Sequence, residues 1–266
     1  MRVPFFQIDA FTTRRFAGNP AAVLLLHSFL PDRVLQAIAE ENNLPETAFL
    51  VGEGSDYRIR WFTPTVEVPL CGHATLASAA AVFERLEPAR FTVTFHSASG
   101  PLVVDRRDDR YGMNFPARKP MPVAVPAGLE PALAVEVVEV LDDHFNYLAV
   151  VESADVVRKL APDIDRIAKL DRAGTIVTAR GDEGYDFVSR YFAPAKGIPE
   201  DPVTGGAHCA LAPYWAARLG RNPMRAFQAS QRGGEILCRV AGERIDLEGQ
   251  CAFYIEGHAE LTDFTG

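Results

Sequence analysis

The 266-residue chain is 48% hydrophobic and 23% charged, the balance of an ordinary folded protein, which excludes a disordered or collagen-like chain. Its formal net charge of −8 and the absence of a separate Lys/Arg cluster exclude the usual electrostatic footprint of a nucleic-acid binder. The length allows one large domain or two of about 130 residues, either of which buries a substantial core.

In chain order, Met1 to Asp9 lacks the apolar stretch of a signal peptide, and no run reaches the ~18 apolar residues of a membrane span, so a cytoplasmic protein without a membrane partner is expected. Short apolar or alternating runs predict strands at Phe5 to Phe11, Ala21 to Leu26, Ala48 to Val51, Phe91 to Phe95, Leu102 to Val104 and Tyr111 to Phe115. Pro31-Asp32 opens a helix that runs to about Asn42 and stops at Asn43-Leu44-Pro45. Arg106, Arg107 and Arg110, interrupted by Asp108 and Asp109, read as a solvated hairpin turn. The Pro-rich stretch from Pro116 to Pro131 reads as a linker. Ala154 to Leu160, ahead of Pro162, is a counterpart of the first helix. A last strand at about His258 to Phe264 is assignable to neither half by pattern alone.

Two segments half a chain apart carry the same words. Arg60-Trp61-Phe62-Thr63-Pro64 returns as Arg190-Tyr191-Phe192-Ala193-Pro194, an offset of 130 (60 to 190). Cys71-Gly72-His73-Ala74 faces Thr204-Gly205-Gly206-Ala207 at an offset of 133 (71 to 204), where Glu67 also matches Glu200 and Arg85-Leu86 matches Arg218-Leu219. Each copy reads as an aromatic strand, a Pro-bearing turn, a tight Gly turn and a helix of small residues, at about 73–86 and 206–219. Ala74, Ala77, Ser78, Ala79, Ala80 and Ala81 leave the first helix almost no polar face. A helix apolar all round is buried, which predicts a sheet wrapped around a central helix in each half. The halves divide at 1–117 and 118–257, and the C-terminal strand near 258–264 is a candidate to return to the first.

Four segments carry a resemblance: Phe16-Ala17-Gly18-Asn19-Pro20-Ala21-Ala22-Val23, Asn43-Leu44-Pro45-Glu46-Thr47-Ala48-Phe49, Cys71-Gly72-His73-Ala74-Thr75-Leu76-Ala77 and Glu200-Asp201-Pro202-Val203-Thr204-Gly205-Gly206-Ala207-His208. Together they resemble the signature segments of the phenazine-biosynthesis (PhzF-like) isomerases, in family order and from end to end of the chain. The resemblance implies an α+β, diaminopimelate-epimerase-like fold of two pseudo-symmetric barrels. It also implies a cofactor-independent isomerase acting on a small carboxylic acid bound between the halves, and a homodimer.

By this resemblance Glu46 is the acid/base carboxylate, since a buried carboxyl can take a proton from one carbon and return it to another. His73 and Asp201 match the other two polar site residues. Read from the residues alone, Asp201 is equally a helix N-cap and His73 a capped core histidine. As a catalytic pair, the carboxylate would fix the imidazole tautomer. Gly72, Gly205 and Gly206 offer bare N–H groups at helix N-termini, suited to a substrate carboxylate, and Asn19 either reaches the substrate or serves the turn after Gly18. The chain departs from the family at Gly206, where Ser is usual, and its His208-Cys209-Ala210-Leu211 continuation resembles the uncharacterised branch rather than the phenazine-pathway members. His208 reads as structural.

Cys71, Cys209, Cys238 and Cys251 show neither C-x-x-C nor Cys/His metal spacing, so reduced thiols and no metal are expected. No nucleotide motif occurs and no cofactor is implied. Two alternatives remain at this level. One is a two-thiol epimerase or racemase, for which Cys71 stands in place but Thr204 occupies the second position, and a threonine does not ionise as a thiol does. The other is a non-catalytic binding protein that has kept the fold.

Overall fold

The computed structural model describes residues 1–261. Contacts divide the chain into two units. The first holds Met1–Asn114 together with the described residues from Glu248 onward, and the second holds Phe115–Leu247.

The first unit starts with strands β1 (Arg2–Ala10) and β2 (Asn19–Leu26), helix α1 (Asp32–Asn42) and strands β3 (Glu46–Glu53) and β4 (Asp56–Phe62). A two-residue β5 (Glu67–Val68) precedes helix α2 (Gly72–Ala81), which runs on into a π-helical turn at Val82–Leu86. Strands β6 (Thr92–Ser97), β7 (Gly100–Arg107) and β8 (Arg110–Pro116) follow. Helix α2 buries every residue from His73 to Ala81. Its alanines let β1, β2 and β3 approach on several sides, as expected of a helix with no polar face. Outside the sheet, α1 turns its buried Leu35 and Ala39 toward Leu24, Phe49 and Phe62 in a second apolar cluster.

The second unit carries β9 (Met121–Pro122), helix α3 (Leu129–Leu133), β10 (Glu139–Asp142), β11 (Asn146–Val150), short helices α4 (Ala154–Lys159) and α5 (Ile164–Ile167), β12 (Gly174–Arg180), β13 (Phe187–Ala193) and β14 (Ile198–Asp201). The central helix α6 (Gly205–Leu219) leads to β15 (Met224–Gln228), β16 (Gly234–Ala241) and β17 (Arg244–Gly249). The final strand β18 (Cys251–Glu260) pairs antiparallel with β1 along its whole length. Residues 262–264 of the expected last strand lie outside the described residues. Among the described residues, no helix is long and apolar enough to cross a membrane.

Strand order repeats between units. In the first, β1–β2 is antiparallel, β2–β3 parallel, β3–β4 antiparallel, β4–β6 parallel and β6–β7 antiparallel. In the second, β10–β11, β11–β12, β12–β13, β13–β15 and β15–β16 follow the same alternation. The repeated sequence words have a physical meaning. Arg60 is clamped by both oxygens of Glu67, Nε to Oε1 at 2.7 Å and Nη2 to Oε2 at 2.6 Å, and Arg190 is clamped by Glu200 at 2.7 and 2.9 Å. Each fork-to-fork pair, stronger and more directional than a single ion pair, ties a central strand to the short segment ahead of the central helix.

Three expectations need correction. The stretch from Pro116 to Pro131 is not simply a linker. It contains β9 and the start of α3, whose Leu129, Ala132 and Leu133 are fully buried in the second unit's core. The central helix expected over 73–86 keeps α geometry only to Ala81, because the buried Val82 and Phe83 pack through a π turn. Finally, Gly72, Gly205 and Gly206 make no tight turn. They are the first helical residues, and the extended Cys71 and Thr204 turn the chain into the helices.

His208 in α6 is wholly buried; its Nδ1 is 2.8 Å from the Thr204 carbonyl oxygen, and its ring lies 5.9 Å from that of Phe187. Burial pushes its pKa down to about 4, against the Thr204 carbonyl, which raises it. Between about pH 6.5 and 4 the unfolded chain takes up a proton at this position and the native chain does not, so stability falls as pH falls through that window. In acid-denaturation series, His208→Gln is expected to show a shallower loss of stability over that interval, by up to about 3 kcal/mol. Identical slopes would rule this out.

Candidate active site

The first unit brings Asn19, Glu46, Gly72 and His73 together, and each is placed by a local device. Helix α1 ends at Asn43, in the left-handed conformation (φ 47°), whose N–H caps the carbonyls of Ala39 and Glu40, and Asn42 Nδ2 donates to Thr47 Oγ1 at 3.1 Å. This exit delivers Glu46 to the head of β3, where it pairs with Ala21 of the parallel β2. Asn19 opens β2 behind Gly18, whose φ of +64° is a conformation that L side chains rarely adopt. His73 is the second residue of α2.

The side chains converge. His73 Nε2 stands 3.1 Å from Glu46 Oε2, with both side chains almost wholly buried. The opposite ring nitrogen, Nδ1, lies 3.1 Å from Asn19 Nδ2 and 3.5 Å from Cys71 Sγ. Nε2 is in close contact with the carboxylate but makes no aligned hydrogen bond. Burial alone would lower His73, but the acidic neighbours Cys71 and Glu46 more than offset it and hold the imidazole above the usual histidine range. The Cys71 thiol is pushed up, by burial first and by Glu46 second. The carboxylate oriented on His73 is thus Glu46, from the same unit.

Glu46, Cys71 and His73 place an oxygen, a sulfur and a nitrogen within 4.8 Å of one another.

Asp201, Gly205 and Gly206 form a second group, in the second unit. Asp201 does not cap α6; Thr204 is the N-cap residue. Thr204 Oγ1 donates to Asp201 Oδ2 at 2.5 Å, while Gln228 accepts from Thr204 N at 2.9 Å and donates to the Asp201 carbonyl at 2.8 Å. The Arg118 guanidinium donates to the Gly206 carbonyl. Nothing in the local sequence marked Arg118, which sits among prolines in the supposed linker.

A buried carboxylate and imidazole meet at the head of a buried helix, in a fold built twice over, and relatives similar to the chain in sequence are named isomerases. Residues 8–262 match the family model described as "Phenazine biosynthesis-like protein", and the chain belongs to that family. It is 50% identical over 98% of its length to the whole of an uncharacterised isomerase of Pseudomonas aeruginosa. A crystal structure of a PhzF-family protein from Enterococcus faecalis superposes with a TM-score of 0.94 at 42% identity, covering 98% of this chain and 100% of that one. A probable proline racemase of Agrobacterium radiobacter shares the fold alone, with a TM-score of 0.60 at 12% identity over 99% of this chain and 94% of that one.

Proposed function

We propose that the chain isomerises a small carboxylic acid by moving one proton through a single carboxylate, Glu46. The observation that carries this reading is the buried Glu46–His73 contact at 3.1 Å, with Asn19 on the opposite ring nitrogen. His73 holds one carboxylate oxygen and leaves the other to meet a substrate C–H. The C–H bond breaks as the proton passes to Glu46, its electron pair moves into an adjoining double bond, and the proton returns to a different carbon of the same molecule. Atoms and electrons balance without an oxidant, reductant or water. Asp201, fixed by Thr204 and Gln228, is included as a polar substrate contact from the second repeat.

The two-thiol alternative is disfavoured by Thr204, which stands at the matching position of α6 where a second thiol would be needed. Turnover of unsaturated carboxylic acids in D₂O, followed by NMR, separates the two mechanisms. A substrate deuterated at the reacting carbon is expected to yield product that keeps part of its label at the new carbon, delivered to the same face. Complete solvent incorporation with inversion at one carbon would refute the single-carboxylate reading.

A further inference from the structure

We infer that Arg118 and Lys196 form a carboxylate anchor in the second unit, at the position quasi-equivalent to the proton-transfer pair of the first. The inference deepens the proposed function, since it takes the substrate to be an organic anion.

Strand register fixes the equivalence. In the first unit Ala21 pairs with Glu46 across β2 and β3, and Ala48 with Trp61 across β3 and β4. In the second, Asn146 pairs with Gly174 across β11 and β12, and Ile176 with Tyr191 across β12 and β13. Gly174 therefore stands where Glu46 stands, at the head of the equivalent strand. Gly206, second residue of α6, stands where His73 stands, and Thr204 where Cys71 stands. The second unit has no acid/base pair at this place.

Other groups occupy the vacated space. A Cβ on Gly174 would fall 2.4 Å from the Tyr191 hydroxyl and 2.6 Å from Asn146 Oδ1, so the glycine is what admits them. Tyr191 donates to Asn146 Oδ1 at 3.0 Å, and Asn146 Nδ2 donates to the two oxygens of Asp143 at 3.2 and 3.1 Å. Asp143, its side chain fully buried, lies with Oδ2 3.4 Å from Arg118 Nη1. The Arg118 plane is also held over the Phe145 ring, 5.4 Å from its centroid. Lys196 Nζ completes the chain by donating to the Tyr191 hydroxyl at 3.3 Å.

The two cations are not equally paired. Asp143 faces Arg118 from the interior, but among the described residues no carboxylate stands within ion-pair distance of Lys196. Although Lys196 as a residue is exposed, burial of its ammonium and then the charge of Arg118 lower its pKa, against Asp143 and Asp201, which raise it. The ammonium and the guanidinium stand at the two ends of this hydrogen-bonded network, and the exposed Gly206 has no side chain to cover Arg118, an arrangement that fits a bound anion. A carboxylate there gains charge-assisted hydrogen bonds from both cations.

The test measures binding of acetate, succinate and benzoate, each against its amide, by calorimetry on the intact protein. At least one acid is expected to bind wild type while its amide does not. Lys196→Met, on an exposed turn, should weaken that acid about tenfold, with Lys196→Arg restoring most of the affinity. Arg118→Met should weaken it similarly; because that change strands buried Asp143, Arg118→Lys is measured beside it and should fall between. Failure of every acid to bind wild type, or unchanged affinity in Lys196→Met, would overturn the anchor. Glu46→Gln is expected to bind the acid within about twofold of wild type, so a Glu46→Gln variant that still transfers the proton tells against the Glu46 reading and not against the anchor.

Discussion

Glu46→Gln is expected to lower turnover by about 10²–10⁴-fold with little change in ligand affinity or melting temperature. The amide keeps the shape and can still face His73 Nε2, now 3.1 Å from the carboxylate, but it cannot hold and release the proton. Loss has to appear in kcat rather than in KM, because the reacting proton is missing and the binding groups are not. The measurement is paired kinetics and thermal unfolding of wild type and variant. A variant that unfolds early while turning over normally when folded would make Glu46 a structural residue.

Gly18→Ala is expected to be the most damaging single methyl in the first unit. A Cβ at this position would lie 2.1 Å from the Ala10 carbonyl oxygen and 2.7 Å from Thr12 Cγ2, on a backbone with φ +64°. Neither the carbonyl nor the loop can yield easily, since Thr12 N donates to the Gln250 carbonyl at 3.1 Å and Phe16 N to buried Asp9 at 2.8 Å. Steric strain of this kind costs roughly 3 kcal/mol or more, or about 6–12 °C in melting temperature for a chain of this size. Asn19 follows directly, so the contact with His73 Nδ1 should be disturbed as well, and activity should fall with stability. Gly52→Ala, where a Cβ meets nothing within 4 Å, is the control and should be near neutral. Equal melting temperatures for the two variants would contradict the argument.

What was legible in the sequence was whatever short-range chemistry encodes. Helix α1 could be read to its last residue because Asn43 and Pro45 end it, and β2 and β3 because their apolar runs are unbroken. The duplication was legible through Arg60, Glu67, Arg190 and Glu200, although their pairing as two clamps emerged only in three dimensions. Tertiary packing supplied the rest. The π turn at Val82–Leu86, where Val82 and Phe83 are buried, has no signal in the local sequence. Helix α3 was hidden by Gly128 and Pro131, which signal a break unless Leu129 and Leu133 have a core to enter. At the site, motif resemblance located Glu46 and His73, yet the direct contact between them, and the displacement of Asp201 from the capping role to a clasp with Thr204 and Gln228, are properties of the folded chain. Arg118 carried no signal at all, because a lone arginine among prolines acquires meaning only beside Gly206 and Asp143.

The paired clamps, Arg60–Glu67 and Arg190–Glu200, have a consequence for how such a molecule can change over time. The architecture occurs in two copies, while the side chains proposed to handle the proton occur in one: Glu46 and His73 on one side, Gly174 and Gly206 on the other. On the proposed mechanism the second copy is released from proton transfer and constrained to keep its frame and its substrate contacts. Mutations there can retune which molecule is admitted without disturbing how the proton moves, so one lineage can diversify its substrates while its chemistry stays fixed.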